Sequence, residues 1–284
     1  MKVGLIDIDS KMPNLALMKI SAYYQQKGHT WMTAPLYANQ YDLIYASKIF
    51  DFSPMPILPD HAIVGGSGID LTSKLDENIE HIYPDYGLYG CDYAIGYTSR
   101  GCNRKCPFCI VPKKEGRFKI VCDDIGEFWR GQERLILLDS AINTDDVHFG
   151  VISEQLISHN IQVDFNQGLD IRYLNDFQGH CLRRIHTFKQ IHFAWDFIQI
   201  EKAVRRGIEI LKRHKLVSRS MFYVLIGYNT TPEEDTYRVD VLRGLGVDPF
   251  VMPFDKFNQY QRDFARYVNH KAIFKSVKWG EYRA

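Results

Sequence analysis

The stretch "YAIGYTSRGCNRKCPFC", residues 93–109, joins an apolar run to three closely spaced cysteines. The run at 93–99 has the length and composition of a buried strand. The loop directly beyond this run carries the cysteines in the spacing C-x3-C-x2-C, at Cys102, Cys106 and Cys109. Gly101 allows the backbone to turn sharply into the loop, and Pro107 stiffens the gap before the last cysteine. The stretch therefore predicts a ligand-binding loop at the carboxyl end of a strand.

The three cysteines suit a metal cluster better than a set of disulfides. The chain has 284 residues and six cysteines, so it is long enough to bury a core without covalent cross-links. Three thiolates bind three irons of a [4Fe-4S] cluster and leave the fourth iron without a protein ligand. A zinc site, the first alternative, commonly uses four ligands in two Cys or His pairs, and no second pair follows this loop. Thiols without a metal are the second alternative.

Net charge and hydrophobicity narrow the classes of partner. The formal net charge is +1, from 35 basic and 34 acidic residues, so no global field attracts the chain to nucleic acid or to an anionic membrane. No apolar run reaches the roughly 20 residues that span a bilayer, and the start "MKVGLIDIDSK" lacks a signal-peptide pattern. We therefore expect a cytoplasmic protein without a membrane partner. Two segments are locally basic, 100–119 and the tail after Phe254, so nucleic acid stays open as a partner.

Six apolar runs follow one another from residue 93, and helical patterns separate most of them. The runs cover 93–99, 134–142, 162–170, 190–197, 220–227 and 248–254. Repeated strand–helix units with right-handed crossovers curl into a barrel, and active sites in that architecture lie at the carboxyl ends of the strands. The predicted fold class is α/β, with a partial (β/α)6 TIM-like barrel preceded by a small Rossmann-like open-sheet domain.

The sequence predicts three segments. Residues 1–85, with the strand patterns "KVGLIDID", "YDLIYASKIF" and "HAIVGG", form the small Rossmann-like domain. Residues 86–255 form the barrel. Residues 256–284 form a C-terminal helical tail, in which Phe264 and Tyr267 have the spacing of a helix face that packs on the barrel.

The loop "GCNRKCPFC" resembles the C-x3-C-x2-C signature of the radical S-adenosylmethionine (radical SAM) superfamily, including the aromatic Phe108 before the third cysteine. The resemblance implies that Cys102, Cys106 and Cys109 hold a [4Fe-4S] cluster and that S-adenosyl-L-methionine chelates the fourth iron. One electron then cleaves the sulfonium to methionine and a 5′-deoxyadenosyl radical, which takes a hydrogen atom from the substrate. The superfamily's partial barrel, with the cluster loop after its first strand, agrees with the six runs.

The resemblance also implies contacts to S-adenosylmethionine, carried over position by position. They fall on Phe108, Asp139, Ser140, Gln167, Asp196, Ile226 and Gly227. Phe108, Ile226 and Gly227 would approach the adenine through their backbone. The sequence "LLDSAIN" replaces a Gly-Gly-Glu stretch of the superfamily, so Asp139 either accepts from the methionine ammonium or caps the next helix. Asp196 would bind the ribose hydroxyls or the methionine moiety.

Two further groups of residues have two interpretations each. The third run, "FNQGLDIR", carries Asp170 and Arg172, which either contact a ligand or form a structural ion pair. The remaining cysteines, Cys91, Cys122 and Cys181, have no paired spacing, so we expect structural thiols rather than a second cluster.

The first segment resembles the Rossmann-like domain of the cobalamin-binding and methylthiotransferase branches of the superfamily. A strand pattern there ends in Gly65 and Gly66, as in those relatives. The cobalt-ligating Asp-x-His-x-x-Gly is absent from the first strand end, "DIDSKMPN", so cobalamin would bind without that histidine if it binds. Methylthiotransferases carry three further cysteines in this domain, and residues 1–85 contain none, which argues against methylthiolation.

The sequence thus predicts a radical SAM enzyme with an unidentified substrate. The resemblance implies a reducing electron donor such as flavodoxin or ferredoxin. Two alternatives are a cobalamin-assisted radical methyltransferase and a nucleic-acid base modification enzyme. A third, from another class, is a non-catalytic iron-sulfur module that senses redox state.

Overall fold

A computed structural model describes residues 1–26 and 29–282 of the chain, which divides into two units. The first unit consists of Met1–Lys105 and Cys109–Ile136, and the second of Cys106–Phe108 and Leu137–Ala284. The predicted domain boundaries at residues 85 and 255 stay predictions. Residues 27–28 of the predicted first domain and 283–284 of the predicted tail lie outside the described residues.

A parallel four-stranded sheet is the centre of the first unit. Its strands are β1 (Lys2–Asp7), β2 (His29–Met32), β3 (Leu43–Ser47) and β4 (Ala62–Gly65). They lie in the order β2-β1-β3-β4, and every neighbouring pair is parallel. This order is that of a small open α/β sheet, as the strand patterns in residues 1–85 predict. The exposed strand β2 has too few buried residues to give a sequence pattern, and it is the one strand of this sheet that we did not predict.

The two faces of this sheet bury separate groups of apolar side chains. Helix α1 (Leu15–Gln25) begins at Asn14, whose side chain accepts a hydrogen bond from the Leu17 backbone and also donates to Ser47 Oγ at 2.8 Å. On the α1 face, Leu17 packs with Val3 and Leu5, whereas the opposite face contains Ile6, Ile44 and Ala46. Alternate residues of β1 thus point to opposite faces.

The rest of the first unit leads to and surrounds the cysteine loop. Its elements are α2 (Glu77–Glu80), β5 (Ala94–Gly96), β6 (Ser99–Arg100), α3 (Val111–Lys114), β7 (Lys119–Ile120) and the start of β8 (Arg134–Leu137). Strand β5 lies beside β8. Strands β6 and β7 form a short antiparallel pair, with Ser99 opposite Ile120 and Arg100 opposite Lys119. The cysteine loop therefore leaves from a two-stranded ribbon directly after β5.

The second unit contains the last four of the predicted runs. Its strands are β9 (Gln162–Phe165), β10 (His186–Thr187), β11 (Ile191–Ala194), β12 (Ser220–Ile226) and β13 (Asp248–Pro253). Strand β9 pairs with β10, and β11, β12 and β13 form a parallel sheet in that order. The carbonyl of Leu137, the last residue of β8, accepts a hydrogen bond from Asn166, directly after β9.

Helices alternate with these strands. They are α4 (Asp146–Ser158), α5 (Asp176–Arg184), α6 (Glu201–Arg213), α7 (Pro232–Leu245), α8 (Gln259–Asn269) and α9 (Lys271–Ser276). Two of them, α7 and α8, pack on the three-stranded sheet. Along β12 every second residue is fully buried, among them Phe222 and Val224. On the other face of the sheet, Phe250 and Met252 of β13 are exposed. The sheet thus has a covered face and an open one.

Each of the six apolar runs contains a strand, which supports the α/β class. The strands of the last three runs form a separate parallel sheet, and no closed barrel is present within residues 1–26 and 29–282. The partial (β/α)6 barrel therefore stays a prediction. Helix α8 packs on β13 through Asn269, whose side chain accepts from the Val251 N–H at 2.7 Å and donates to its carbonyl at 2.9 Å. Over the described part of the chain, every helix is too short or too polar to cross a bilayer.

Candidate active site

The base of the cysteine loop is fixed by backbone geometry in the first unit. Gly101 has φ = 80°, and a Cβ on this residue would collide with the carbonyl oxygen of Arg117. Its N–H donates to the Glu115 carboxylate at 2.7 Å, and the N–H of Cys102 donates to the Gly116 carbonyl at 3.2 Å. Only glycine combines this positive φ with so close an approach of two backbone segments. The sequence prediction of a sharp turn at Gly101 is confirmed.

The donor set on the loop fits an iron–sulfur cluster in its chemistry. All three motif cysteines are half-buried thiols. The backbone N–H of Arg104 donates to Cys102 Sγ at 3.4 Å, and a donor directed at sulfur stabilises a thiolate. Within the described residues, however, no three His, Cys, Asp or Glu side chains are arranged as a ready metal site. The fit of the three thiols to a cluster therefore rests on their chemistry.

Phe108, the aromatic residue of the motif, belongs to an aromatic cluster in the second unit. Its ring lies 5.6 Å from that of Phe197 and 5.3 Å from that of Tyr228, and the Tyr228 ring lies 4.8 Å from that of Phe254. Phe197, Tyr228 and Phe254 follow the carboxyl ends of β11, β12 and β13. Tilted and edge-on aromatic pairs of this kind each contribute roughly 0.5–1.5 kcal/mol beyond their buried area. The cluster holds Phe108 at the strand ends where the sequence predicts a ligand.

Asp196 lies beside this cluster, in the residue position before Phe197. The N–H of Leu225 donates to its carboxylate at 3.2 Å. Burial raises the pKa of Asp196 above its ordinary value, the Leu225 hydrogen bond opposes that rise, and the positive charges of Arg238 and Arg172 oppose it as well. The result is a half-buried acid at the end of a strand, with the cations Arg238 and Arg172 and the anion Asp170 nearby. Such an environment is typical of a ligand-binding carboxylate.

Arg238 on α7 is a functional candidate that the sequence reasoning missed. It is fully buried and donates to three oxygens: the carbonyl of Trp195 at 2.7 Å, the carbonyl of Leu225 at 2.9 Å and Asp235 Oδ1 at 2.6 Å. These contacts join the end of β11, immediately before Asp196, to the end of β12. One sequence feature could have indicated Arg238: it forms an oppositely charged pair with Asp235, three residues earlier, on the apolar face of a helix.

The same network extends from Arg238 to Gly227. Asp235 accepts from Thr230 Oγ1 at 2.7 Å, and Thr230 Oγ1 in turn accepts from the Gly227 N–H at 3.0 Å. Gly227 has φ = 75°, and a side chain there would collide with Gln261. The neighbouring carbonyl of Ile226 accepts from Phe254 N at 3.1 Å. These two backbone groups therefore already have partners within the chain, and their pairing with adenine stays a prediction.

The predicted contacts on the second and third apolar runs lie outside the aromatic cluster around Phe108. Asp139 is buried two residues beyond the end of β8, and Ser140 beside it is half-buried. Gln167 is exposed and donates to Asn166 at 3.0 Å. Asp170 and Arg172 form a two-bond ion pair with both distances at 2.7 Å, which favours the structural interpretation of this pair. The structure thus places Phe108 against Phe197 and Tyr228, which directly follow Asp196 and Gly227 in the chain. The predicted roles of Asp139 and Gln167 stay predictions.

The three cysteines outside the motif lie in separate surroundings. Cys122 donates to the Asp124 carbonyl at 2.8 Å, and burial raises the pKa of its thiol to about 12. Cys181 is buried in α5, and burial raises the pKa of its thiol as well. Cys91 donates to the carbonyl of Tyr93 at 3.3 Å. Raised pKa values favour the neutral thiol over the thiolate that a metal requires.

Comparison with known proteins gives partial matches. The chain is 26% identical over 129 residues to ribosomal protein uS12 methylthiotransferase RimO of Stenotrophomonas maltophilia strain R551-3. It is 44% identical over 129 residues to the protein of the same name from strain K279a. Each match covers 43% of this chain and 27% of the relative. A CDK5RAP1-like protein of Oryza sativa subsp. japonica is 29% identical over 99 residues, which is 33% of this chain and 16% of the relative.

The matches cover only part of this chain and of each relative. The chain spans about a quarter of the length of the methylthiotransferases that it matches, 27% in each case. No family model matches the chain. Methylthiotransferases form one branch of the superfamily that the cysteine motif resembles. The comparisons therefore support an enzyme of the radical SAM kind over the matched stretch.

Proposed function

We propose that this chain is a radical SAM enzyme in which Cys102, Cys106 and Cys109 hold a [4Fe-4S] cluster. The observation that carries the proposal is the position of Phe108. This residue lies between the second and third motif cysteines, and it packs directly against Phe197 and Tyr228 at the carboxyl ends of β11 and β12. A structural zinc loop or a set of unrelated thiols gives no reason for that placement.

The bound cluster and S-adenosylmethionine would together supply the 5′-deoxyadenosyl radical. The residues of this chain bind S-adenosylmethionine, orient it and shield it from water. The Asp196 carboxylate accepts hydrogen bonds from the ribose hydroxyls or the methionine ammonium, and Arg238 fixes the strand ends that present it. The aromatic cluster of Phe108, Phe197, Tyr228 and Phe254 excludes water from that side of the ligand. Asp139, Ser140, Gln167, Ile226 and Gly227 remain proposed contacts on the strand ends.

The reaction class is hydrogen-atom abstraction from a substrate that these residues do not identify. An electron donor is required because cleavage of the sulfonium consumes one electron. We place the protein in the cytoplasm, where reducing conditions keep cysteines available as ligands.

Methylthiolation is the second candidate, favoured by the names of the matched relatives. Against it stands the absence of cysteine from residues 1–85, where methylthiotransferases hold a second cluster. Iron analysis separates the two functions: we expect about four irons per chain, whereas a second [4Fe-4S] cluster would raise the count to about eight.

The test of the proposed function is anaerobic reconstitution followed by reduction with dithionite in the presence of S-adenosylmethionine. We expect the wild-type chain to form 5′-deoxyadenosine and Cys106→Ala to form none. Cys122→Ala is the matched control, because this half-buried thiol lies outside the motif, and it should behave as the wild type does. A reconstituted cluster that never cleaves S-adenosylmethionine would support the redox-sensing alternative instead.

A further inference from the structure

We propose that a basic ribbon on the first unit docks an acidic electron-transfer protein. The basic ribbon is defined as residues 99–105 and 109–120, which include β6, α3 and β7. The inference rests on the proposed function, because only a cluster that must be reduced needs such a partner. The occupant is a protein with a negatively charged surface and a low-potential redox group.

The charge of the ribbon is one-sided at its surface. Its exposed cations are Lys105, Lys113, Arg117 and Lys119. Glu115 is the one acidic residue between positions 99 and 120 in the sequence. It is half-buried, and its carboxylate accepts the Gly101 N–H at 2.7 Å, so its charge is directed into the loop base. Within the ribbon the exposed charged side chains are therefore all cationic, and the exposed acids nearest in sequence, Asp123 and Asp124, follow its end.

Other cations of the ribbon are engaged within the first unit. Arg100 pairs with Glu80 at 2.6 Å and lies 4.1 Å from the centre of the Tyr97 ring. Lys114 donates to Ser67 Oγ at 3.1 Å. These two side chains anchor the ribbon to the unit, whereas the side chains of Lys105, Lys113, Arg117 and Lys119 are exposed. The exposed cations are therefore the ones that a partner can contact.

The exposed cations are held close to the cysteine loop. Lys105 lies within the loop, three residues after Cys102. Lys119 pairs across the ribbon with Arg100, and the Cys102 N–H bonds to Gly116 next to Arg117. A partner that binds these charges is therefore brought to the loop that would carry the cluster. Short-range electron transfer requires this proximity.

The apolar side chains of the ribbon favour a protein partner over nucleic acid. Ile110 and Ile120 are 51% and 50% exposed, whereas the one aromatic side chain here, Phe118, is half-buried. Single-stranded nucleic acid is bound by exposed aromatic side chains on which bases stack. Aliphatic residues surrounded by lysines suit instead a small, transient interface in which charge steers the encounter.

The transferred species is a single electron. A reduced flavin or iron–sulfur group of the partner would lose one electron, and a [4Fe-4S] cluster held by the three motif cysteines would gain it. No bond between the two proteins forms, and no atom is exchanged. The reduced donor is the only co-reactant that the step requires.

The first arm of the test measures binding, and it uses the full chain as purified, without a cluster. The probe is a reduced flavodoxin of acidic surface, and its affinity is measured by titration calorimetry at low and at high salt. We expect the double variant Lys113→Glu/Lys119→Glu to weaken binding about tenfold or more at low salt, and the loss to shrink at high salt because exposed charges are screened. Lys74→Glu, an exposed lysine elsewhere on the first unit, is the control and should bind as the wild type does.

The second arm measures electron transfer to the reconstituted chain. Bleaching of the cluster absorbance by flavodoxin should slow about tenfold in the double variant, whereas bleaching by dithionite should be unchanged. Equal flavodoxin affinity and equal bleaching in the variant and the wild type would overturn the docking surface. So would unchanged flavodoxin binding together with lost binding of a single-stranded oligonucleotide. Failure of the wild type to hold any cluster would instead reject the proposed function, and the binding arm would still judge the surface.

Discussion

Asp196 shows, at the scale of single residues, how a binding role and folding stability oppose each other. Burial raises the pKa of its carboxyl group, and the nearby Arg238, Arg172 and Leu225 N–H only partly offset that effect. A carboxyl group with a raised folded-state pKa disfavours the folded state once it is ionised. The penalty is absent at pH values below the ordinary carboxyl range and complete above the folded-state pKa.

Asp196→Asn is therefore expected to keep or raise the melting temperature at neutral pH, because it removes a buried charge and retains an acceptor for Leu225. The gain in melting temperature over the wild type should vanish as the pH falls below the ordinary pKa range of carboxyl groups. Affinity for S-adenosylmethionine should fall about tenfold or more, since hydrogen bonds to a charged acceptor contribute roughly 1.5–3 kcal/mol. Scanning calorimetry and titration calorimetry measure the two effects.

Asp176 provides a control of opposite sign. Hydrogen bonds from Arg213 and His214 lower the pKa of this exposed carboxyl group. Asp176→Asn should therefore lower the melting temperature slightly at neutral pH and leave S-adenosylmethionine affinity unchanged. An Asp196→Asn chain that is less stable and binds S-adenosylmethionine normally would show that Asp196 is structural.

Gly101 and Gly116 separate backbone strain from steric collision at the cysteine loop. Both have positive φ, 80° and 79°, but a Cβ on Gly101 would collide with the Arg117 carbonyl, whereas a Cβ on Gly116 meets no atom within 4 Å. Gly116→Ala should cost about 1–2 kcal/mol for the left-handed conformation alone. Gly101→Ala should cost more and also reduce iron uptake during reconstitution, measured as iron per chain. Equal iron uptake by the two variants would argue against a role of the turn in cluster assembly.

At the scale of an element, helix α7 connects the ends of two strands, β11 and β12. Its start follows from sequence: Pro232 suits the first turn, and Thr231 forms a capping box with Glu234. The buried pair Asp235 and Arg238 was not predicted, since both residues also suit a solvated helix surface. Tertiary burial, which propensity does not encode, converts this pair into a connection between the ends of β11 and β12.

Arg238→Met should destabilise the chain by about 3–5 kcal/mol, because it leaves Asp235 buried without its partner. The double variant Asp235→Leu/Arg238→Met should recover much of this loss, since it removes both charges. Urea unfolding measures both changes. Arg205→Met is the matched control: its pair with Glu201 lies on the surface of α6, and such pairs contribute about 1 kcal/mol or less.

The recovered double variant also distinguishes positioning from stability. If Arg238 positions Asp196, Asp235→Leu/Arg238→Met should bind S-adenosylmethionine more weakly than the wild type does. This loss of affinity should persist even if the stability of the double variant approaches that of the wild type. Restored affinity together with restored stability would show that Arg238 acts on stability alone.

The whole molecule shows which features a sequence pattern can predict. The strands within the six apolar runs, the turn at Gly101 and the start of α7 all depend on local chemistry, and the structure contains each of them. The exposed strand β2 and the grouping of Phe108 with Phe197 and Tyr228 depend on residues distant in sequence. The periodicity of a single segment contains no information about such partners.

The central claim at this scale is that three motif thiolates leave one iron of a [4Fe-4S] cluster open to S-adenosylmethionine. Electron paramagnetic resonance of the reconstituted, dithionite-reduced chain tests it most directly. We predict the signal of one reduced [4Fe-4S] cluster that changes when S-adenosylmethionine is added, and no such signal from Cys106→Ala. A signal that S-adenosylmethionine leaves unchanged, or a chain that binds zinc in place of iron, would contradict the claim.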